Sequence, residues 1–346
     1  PIDDERRLLY VVMTRAKNEL HFSCAETNAD GKELQATRLF TDIADVLYES
    51  VETTDAEEAF DPVLALTQKK QGVSIDPQLL THLLAERGFS ATSLNNYLRS
   101  PWDYLYRNVL RIPEVQPVHM QFGTAVHNTL EYVTGFHTRE GRFPSDTQVK
   151  EKLEVELGRM PVTVEDHTRL HARGLEVLYG YMQHMEHSLP KQTKEELKLR
   201  VVLQTGIPEL PELPLTGMLD RLDLNDEGFA LRVVDYKTGK PKTRNVIEGK
   251  TAASDGGYKR QLVFYALLLS LHDDERYKTN TGTLSFVEPD TKGVIHEETF
   301  TITKEEIADL QEEIIKAAKG IISGSFLDTP CDEKESEYCH LAQLLR

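Results

Sequence analysis

The sequence has few cysteines and no long apolar run, and these absences exclude several classes of protein. Three widely spaced cysteines in 346 residues give no disulfide framework, so a reducing, bacterial-type cytoplasm is expected. No apolar stretch approaches the roughly 20 residues of a membrane span. The polar, acidic opening at residues 1–5 does not resemble a signal peptide. Because this opening lacks a methionine, we expect the sequence to be a piece of a longer protein.

Basic residues are also in short supply, since 40 Lys and Arg face 57 Asp and Glu, for a net charge of −17. This balance argues against a protein that coats DNA by simple electrostatic attraction. It does not exclude a nuclease, because local charge matters more than the total, and residues 232–260 are locally basic. The length allows two domains of an ordinary globular protein.

Hydrophobic periodicity and turn residues predict the following organisation. Residues 1–50 form one domain remnant with a helix, a strand over Glu19–Ala25 and a further short helix. Residues 51–88 form a linker with helical pieces. A second domain covers 89–346, opening at a Ser90 helix cap. Its predicted helices are 122–136, 149–189 (interrupted at Pro161), 259–271 and 304–322, and its strands are 197–204, 215–224, 229–237, 283–287 and 297–302.

Two carboxylates and a lysine fall on neighbouring predicted strands. A four-residue loop at 225–228 pairs Leu224 with Phe229, sets Asp220 opposite Val233, and places Asp220, Asp235 and Lys237 on one face of the sheet. The two carboxylates become diagonal neighbours, roughly 7–8 Å apart or less, and suit Mg²⁺, with Mn²⁺ as a substitute. Such an ion lowers the pKa of its bound water beside a phosphodiester. Lys237 would orient or deprotonate that water, or stabilise the developing charge.

Two predicted helices carry further candidates. His127 and Glu131 share one helix face, as do Gln261 and Tyr265, because each pair is four residues apart. Taken singly, each has an ordinary alternative: His127 as a core or surface histidine, and Asp220 with Arg221 as a surface ion pair. Their joint order favours a metal site.

These motifs resemble the PD-(D/E)XK nuclease superfamily, in the branch found at the C-terminus of RecB- and AddAB-type helicase–nucleases. The resemblance covers roughly 89–346 and rests on Gly123-x-x-x-His127, Gly217-x-x-Asp220-Arg221, Val234 to Gly239 and Gln261-x-x-x-Tyr265. It implies an α/β fold, a central mixed β-sheet flanked by helices, here with extra N-terminal helices. It also implies that His127, Asp220, Asp235 and the backbone carbonyl of Tyr236 bind the metal and that Lys237 is catalytic. Supporting or DNA-binding roles fall to Gln261, Tyr265, Glu131, Arg221 and Thr238.

Residues 4–17 resemble motif VI of UvrD/Rep-type superfamily 1 helicases. In that family the counterpart of Arg15 reaches the ATP γ-phosphate as an arginine finger. The sequence has no Gly-x-x-x-x-Gly-Lys-Ser/Thr loop, so we expect no ATPase activity from it alone, and Arg15 has the alternative role of pairing with a nearby carboxylate. The helicase motor domains, missing from this sequence, become an expected partner.

Many nucleases of this branch bind an iron–sulfur cluster through four cysteines. Here Ser100 precedes Pro101, where the first of those cysteines would stand, and only Cys339 matches the C-terminal three. We therefore expect no cluster, with Cys331 and Cys339 as plain thiols.

The sequence thus predicts a divalent-metal-dependent DNA nuclease, an exonuclease rather than an endonuclease, joined to a helicase of DNA repair or recombination. The alternatives are a catalytically silent DNA-binding or scaffolding module and a regulatory tail of the motor.

Overall fold

The structure is a computed structural model that describes residues 2–25, 27, 32–34, 48–58, 75–114, 116–252, 254–328, 331, 336 and 338–339. The chain divides into two compact units, Pro1–Lys69 and Lys70–Arg346. No described helix combines the length and apolar character that a bilayer crossing requires.

In the first unit, the helices of the described part are Ile2–Met13 (α1) and Thr54–Glu58 (α2). Leu8, Tyr10 and Val12 of α1 are exposed. The strand predicted over Glu19–Ala25 is wrong, since these residues form no strand and only an isolated bridge joins Thr27 to Glu33. Among the described residues of this unit no strand pairs with them, and alternation alone does not form a sheet. The short helix predicted within 31–50 lies largely outside the described residues.

The second unit contains a five-stranded mixed sheet with helices on both faces, as the sequence predicts. The strands are Gln192–Ile207 (β1), Leu210–Leu224 (β2), Ala230–Lys237 (β3), Thr281–Phe286 (β4) and His296–Thr301 (β5). They lie in the order β1-β2-β3-β4-β5, and only the β3–β4 pair is parallel. The α-helices are Pro77–Arg87 (α3), Ala91–Arg99 (α4), Pro101–Tyr104 (α5), Val118–Glu140 (α6), Asp146–Leu157 (α7), Val164–Met185 (α8), Arg244–Ile247 (α9), Gly257–Leu271 (α10) and Lys304–Ile322 (α11).

Short helical turns complete the unit at Leu105–Val109 (π-helical), Glu275–Tyr277 and Ser325–Asp328 (both 3-10). The predicted cap of α4 is confirmed, because the Ser90 hydroxyl accepts a hydrogen bond from Ser93 N at 3.2 Å. The break predicted at Pro161 is also confirmed, since it lies between α7 and α8.

Each face of the sheet covers its own hydrophobic core. Helices α3, α4, α10 and α11 pack on one face, over Leu222, Val233 and Leu284. Helices α6, α7 and α8 pack on the other, over Val234 and Tyr236. Helix α3 falls in the predicted linker, yet its Leu80 and Leu84 are buried in the first of these cores. The compact unit that contains this helix begins at residue 70, inside the predicted linker. The division into 1–50, 51–88 and 89–346 stays a prediction.

The register of the β2–β3 hairpin differs from the predicted one by two residues. Leu222 pairs with Val233 and Arg221 with Val234, whereas Leu224 pairs with Ala230. The turn accounts for one residue of the shift, because Asn225 Oδ1 accepts a hydrogen bond from Phe229 N at 2.8 Å. A bulge at Leu231 accounts for the other residue. Because a shift of two residues preserves side-chain alternation, the predicted face is correct although the pairing is wrong.

The C-terminal tail contains a disulfide between Cys331 and Cys339, so the expectation of plain thiols is wrong. The cysteines are eight residues apart, and the tail turn brings their Cα atoms within 5.3 Å, the separation that a disulfide needs. Beside it, the Ser336 hydroxyl donates to Asp103, and the Tyr338 ring lies 5.0 Å from the Tyr106 ring. The tail is therefore fixed against α5 and the π-helical turn.

Candidate active site

The hairpin and α10 bring together the central predicted residues at the end of β3. Continuing the observed register by one pair places Asp220 across from Asp235 on the α10 face. Lys237 Nζ lies 2.6 Å from Asp235 Oδ2 and donates to Gln261 Oε1 at 2.8 Å. Gln261 Nε2 donates to the Tyr265 hydroxyl at 2.7 Å, and that hydroxyl donates to Asp235 Oδ1 at 3.2 Å. Four side chains thus form a closed ring of polar contacts.

Two glycines allow this close assembly. A Cβ at Gly217 of β2 would lie 2.5 Å from Leu268 Cδ1, so the glycine lets α10 approach the hairpin. A Cβ at Gly123 of α6 would lie 2.7 Å from Thr238 Oγ1, so this small residue lets the helix approach the end of β3. Thr238 itself follows β3 directly, against α6.

Helix α6 brings His127 to the other carboxylate. His127 Nδ1 lies 3.5 Å from Asp220 Oδ2, and the same oxygen accepts a hydrogen bond from Tyr236 N at 2.8 Å. The rings of His127 and Tyr236 meet edge to face at 5.8 Å. Burial lowers the pKa of His127, which favours the neutral imidazole, the form that can bind a metal.

Burial and electrostatic repulsion both act on Asp220. Burial, followed by the charge of Asp235, raises the pKa of Asp220 to about 8. Burial opposes the charge on Lys237, but Asp235 and Asp220 outweigh it and raise the pKa of Lys237. Lys237 is therefore a cation, so of the roles predicted for it, orienting water or stabilising charge fits better than accepting a proton.

Sequence reasoning missed Glu196, which lies in β1 between the pairs Glu195–Arg221 and Leu197–Leu219, and so across from Asp220. Its φ of 49° is unusual for a residue with a side chain. Its charge contributes to the raised pKa of Asp220, and burial followed by the Glu131 charge raises its own pKa. Glu131 thus lies close enough to Glu196 for its charge to raise the pKa of that residue. It is not one of the four side chains of the polar ring around Lys237. The sequence signal for Glu196 is weak, because this residue belongs to an acidic pair in the polar first half of β1, just before the predicted strand 197–204.

Arg221 is not available to DNA, so of the two roles predicted for it only a supporting role is compatible with the structure. It is 1% exposed and points to the face covered by α6, α7 and α8. There it binds Asp223 through Nε at 2.6 Å and Nη2 at 3.2 Å. The alternation of the strand explains this, since Asp220 and Arg221 are adjacent and must point to opposite faces. Arg15, in the first unit, is exposed just after α1, and its role in ATP binding stays a prediction.

Whether these side chains suit a metal can be judged from their chemistry. Asp235 Oδ2 is buried, and its partner is the ammonium of Lys237 at 2.6 Å. Asp220 and Asp235 lie close enough for the charge of Asp235 to raise the pKa of Asp220, and two such carboxylates are a donor set that suits a hard divalent cation. Within the described residues, however, no group of three or more His, Cys, Asp or Glu side chains is already arranged around an ion position.

Of the comparisons with known proteins, one identifies a family. The sequence profile of the PD-(D/E)XK nuclease superfamily matches residues 88–344. No curated protein matches the chain. The solved structure "Crystal structure of SSO0001" is 13% identical and covers 78% of this chain and 96% of its own, with a TM-score of 0.29, too low to indicate a shared fold.

Proposed function

The chain belongs to the PD-(D/E)XK nuclease superfamily, and on this premise we propose that it is a divalent-metal-dependent deoxyribonuclease. The observation that supports the proposal best is the polar ring of Asp235, Lys237, Gln261 and Tyr265 beside Asp220. It combines carboxylates that can bind a cation with a lysine held in place for the scissile phosphate, two features that suit phosphodiester hydrolysis.

Asp220, Asp235 and His127 would hold the ion, together with the backbone carbonyl of Tyr236 that the family resemblance implies. Oxygen ligands favour Mg²⁺, with Mn²⁺ as a substitute. The bound ion would neutralise charge on the phosphate and lower the pKa of a water molecule.

The other residues of the ring position Lys237 and Asp235. Gln261 accepts a hydrogen bond from the Lys237 ammonium, which fixes the direction of this flexible side chain. Tyr265 donates to Asp235, and burial followed by the Asp235 charge raises the pKa of Tyr265 well above its usual range, so that it stays a donor. With a cation held by Asp220 and Asp235, the Lys237 ammonium would be free to bind a phosphate oxygen or a water.

The proposed substrate is DNA. The loop after β3 carries Lys240 and Lys242, both exposed and a few residues beyond Lys237. Much of the remaining basic stretch is paired with carboxylates, as in Arg232 with Asp223 and Arg244 with Glu298. These two lysines are therefore the best candidates for backbone phosphate contacts.

The wider setting that we propose is a helicase–nuclease of DNA repair or recombination in a bacterial-type cytoplasm. The support for it is the resemblance of residues 4–17 to helicase motif VI and the exposed apolar residues of α1. A motor would deliver unwound strands to the site, which favours exonuclease action.

One observation favours a second candidate, a catalytically silent DNA-binding module. Asp235 already pairs with Lys237, and Asp220 already accepts from Tyr236 N, so the carboxylates are satisfied in part without a cation.

A cleavage assay on end-labelled single- and double-stranded DNA, with Mg²⁺, Mn²⁺ or EDTA, separates the two candidates. Lys237→Ala should lower the cleavage rate by about 10²–10³-fold, the usual effect of removing one electrostatic contact to the transition state. Lys150→Ala, which removes an exposed lysine from α7, is the matched control and should cut normally. Retained cleavage in Lys237→Ala would refute its assignment, whereas metal-dependent binding without cleavage by the unmodified chain would identify the silent module.

A further inference from the structure

Tyr236 connects the two faces of the sheet. Its ring is 2% exposed and lies among α6, α7 and α8, on the face opposite to Asp220 and Asp235. Its hydroxyl accepts a hydrogen bond from Arg221 Nη1 at 2.8 Å, and the guanidinium lies 5.5 Å from the ring centre. The ring is thus fixed at its polar end by a fully buried cation.

Arg221 is in turn fixed by a network of buried polar groups. Asp223 accepts from Arg221 through both carboxylate oxygens and from Arg232 Nε at 2.8 Å. Arg232 reaches Glu297 at 3.4 Å, and Glu297 accepts from Ser285 at 2.9 Å. Since Asp223 holds both nitrogens on one side of the guanidinium, Nη1 has one orientation available, toward Tyr236.

The main chain of Tyr236 carries this constraint to the carboxylate side. Tyr236 N donates to Asp220 Oδ2 at 2.8 Å, and the Tyr236 ring supports the His127 ring edge to face at 5.8 Å. Tyr236 therefore contacts both Asp220 and His127, the two proposed metal ligands, and it links them to Arg221.

We propose that Arg221 is a positioning residue that sets the affinity of the site for its divalent cation by fixing Tyr236, and through Tyr236 both Asp220 and His127. This inference rests on the proposed function in that it takes these two side chains as metal ligands. Two facing carboxylates repel each other, so without such a constraint Asp220 would turn away and would have to be reoriented on binding. Groups that orient metal ligands without touching the ion commonly change metal affinity by 10–100-fold when they are removed.

The test is isothermal titration of the full chain with Mn²⁺ alone, comparing Tyr236→Phe with Tyr181→Phe. Tyr236→Phe removes the hydroxyl that holds Arg221 and keeps the ring. Tyr181→Phe is the matched control because it keeps the ring that meets the Tyr236 ring edge to face at 5.8 Å and removes only a buried hydroxyl that bonds to Ser285 instead of Arg221. Both variants should melt at a lower temperature, since each loses one buried hydrogen bond.

We expect the Mn²⁺ dissociation constant to rise about tenfold in Tyr236→Phe and to stay at the wild-type value in Tyr181→Phe. Arg221→Lys, which keeps the charge but loses the guanidinium geometry, should also weaken Mn²⁺ binding. Unchanged affinity in Tyr236→Phe would overturn the inference, and so would equal weakening in both tyrosine variants, which would indicate general loosening. A wild type that binds Mn²⁺ but does not cleave would refute the nuclease and leave this comparison valid. A wild type that binds no Mn²⁺ would overturn both.

Discussion

Asp220 and Asp235 place two carboxylates in a largely buried space, and this arrangement makes the stability of the metal-free protein depend on pH. The pKa of Asp220 is raised to about 8, far above that of an aspartate in an unfolded chain. The folded state therefore holds a proton that the unfolded state has lost between about pH 4 and pH 8. Stability must fall as the pH rises through this window.

Asp220→Asn should remove this dependence. The amide oxygen still accepts from Tyr236 N, and the repulsion with Asp235 disappears. Without metal, the variant should be more stable than the wild type by on the order of a few kcal/mol at pH 8, and the difference should shrink toward pH 5. Thermal melts in EDTA across this range measure it. A difference that is constant with pH would mean that Asp220 titrates normally.

Single residues also show where sequence reasoning fails. Asp220 and Arg221 are adjacent in a motif, and a motif does not say which neighbour points into the site. Alternation in a strand assigns them to opposite faces, so Asp220 contacts His127 and the main chain of Tyr236, whereas Arg221 is buried with Asp223. Glu196 was missed because its position across from Asp220 depends on the pairing of β1 with β2.

The loop after β3 is the element that should contact the DNA backbone. Lys240 and Lys242 are exposed, so each should release about 0.7 counterions on binding a single strand, or about 0.9 on binding a duplex. Replacing both with alanine should lower the slope of log K against log salt by roughly 1.4 or 1.8. Anisotropy titrations in EDTA measure this slope without cleavage.

A matched control for this loop is the double variant Lys150→Ala and Lys304→Ala, which removes the same charge from two exposed helical positions. An equal change of slope in both double variants would mean that total charge, rather than the loop, governs binding.

The predicted elements of the second unit agree closely with the observed ones where the pattern is local. Helix α11 has the predicted bounds, Lys304–Ile322, because its capping box and apolar spacing are both readable from sequence. The hairpin register was wrong because the bulge at Leu231 depends on how the strands twist together. The resulting error was two residues, so the site residues still fell on the correct face.

At the scale of the whole molecule, the extent of the folded nuclease unit can be tested by truncation. The compact unit begins at residue 70, whereas the sequence predicted a domain start at residue 89. Helix α3 lies between these positions and buries Leu80 and Leu84 at 1% and 2% exposure. A chain starting at residue 70 should fold and keep its activity.

A chain starting at residue 89 should lose stability strongly, since truncating even one buried leucine to alanine costs about 2–5 kcal/mol. Denaturant melts of the two truncated chains measure the difference. If the shorter chain melts like the longer one, α3 is a linker helix after all. Leu79→Ala, at an exposed position of α3, gives a control that should change little in the full chain.

The hairpin contact between Tyr236 N and Asp220 spans only 16 residues, whereas the partners of Lys237 and Asp235 on α10 lie 24 and 30 residues away. Contacts that are close in sequence cost less loop entropy and tend to form earlier in folding. We therefore expect the nascent hairpin to bring its two carboxylates together before Gln261 and Tyr265 arrive. A proton or a divalent ion present at that moment would relieve the repulsion, so the ion that we propose for the site would also speed refolding.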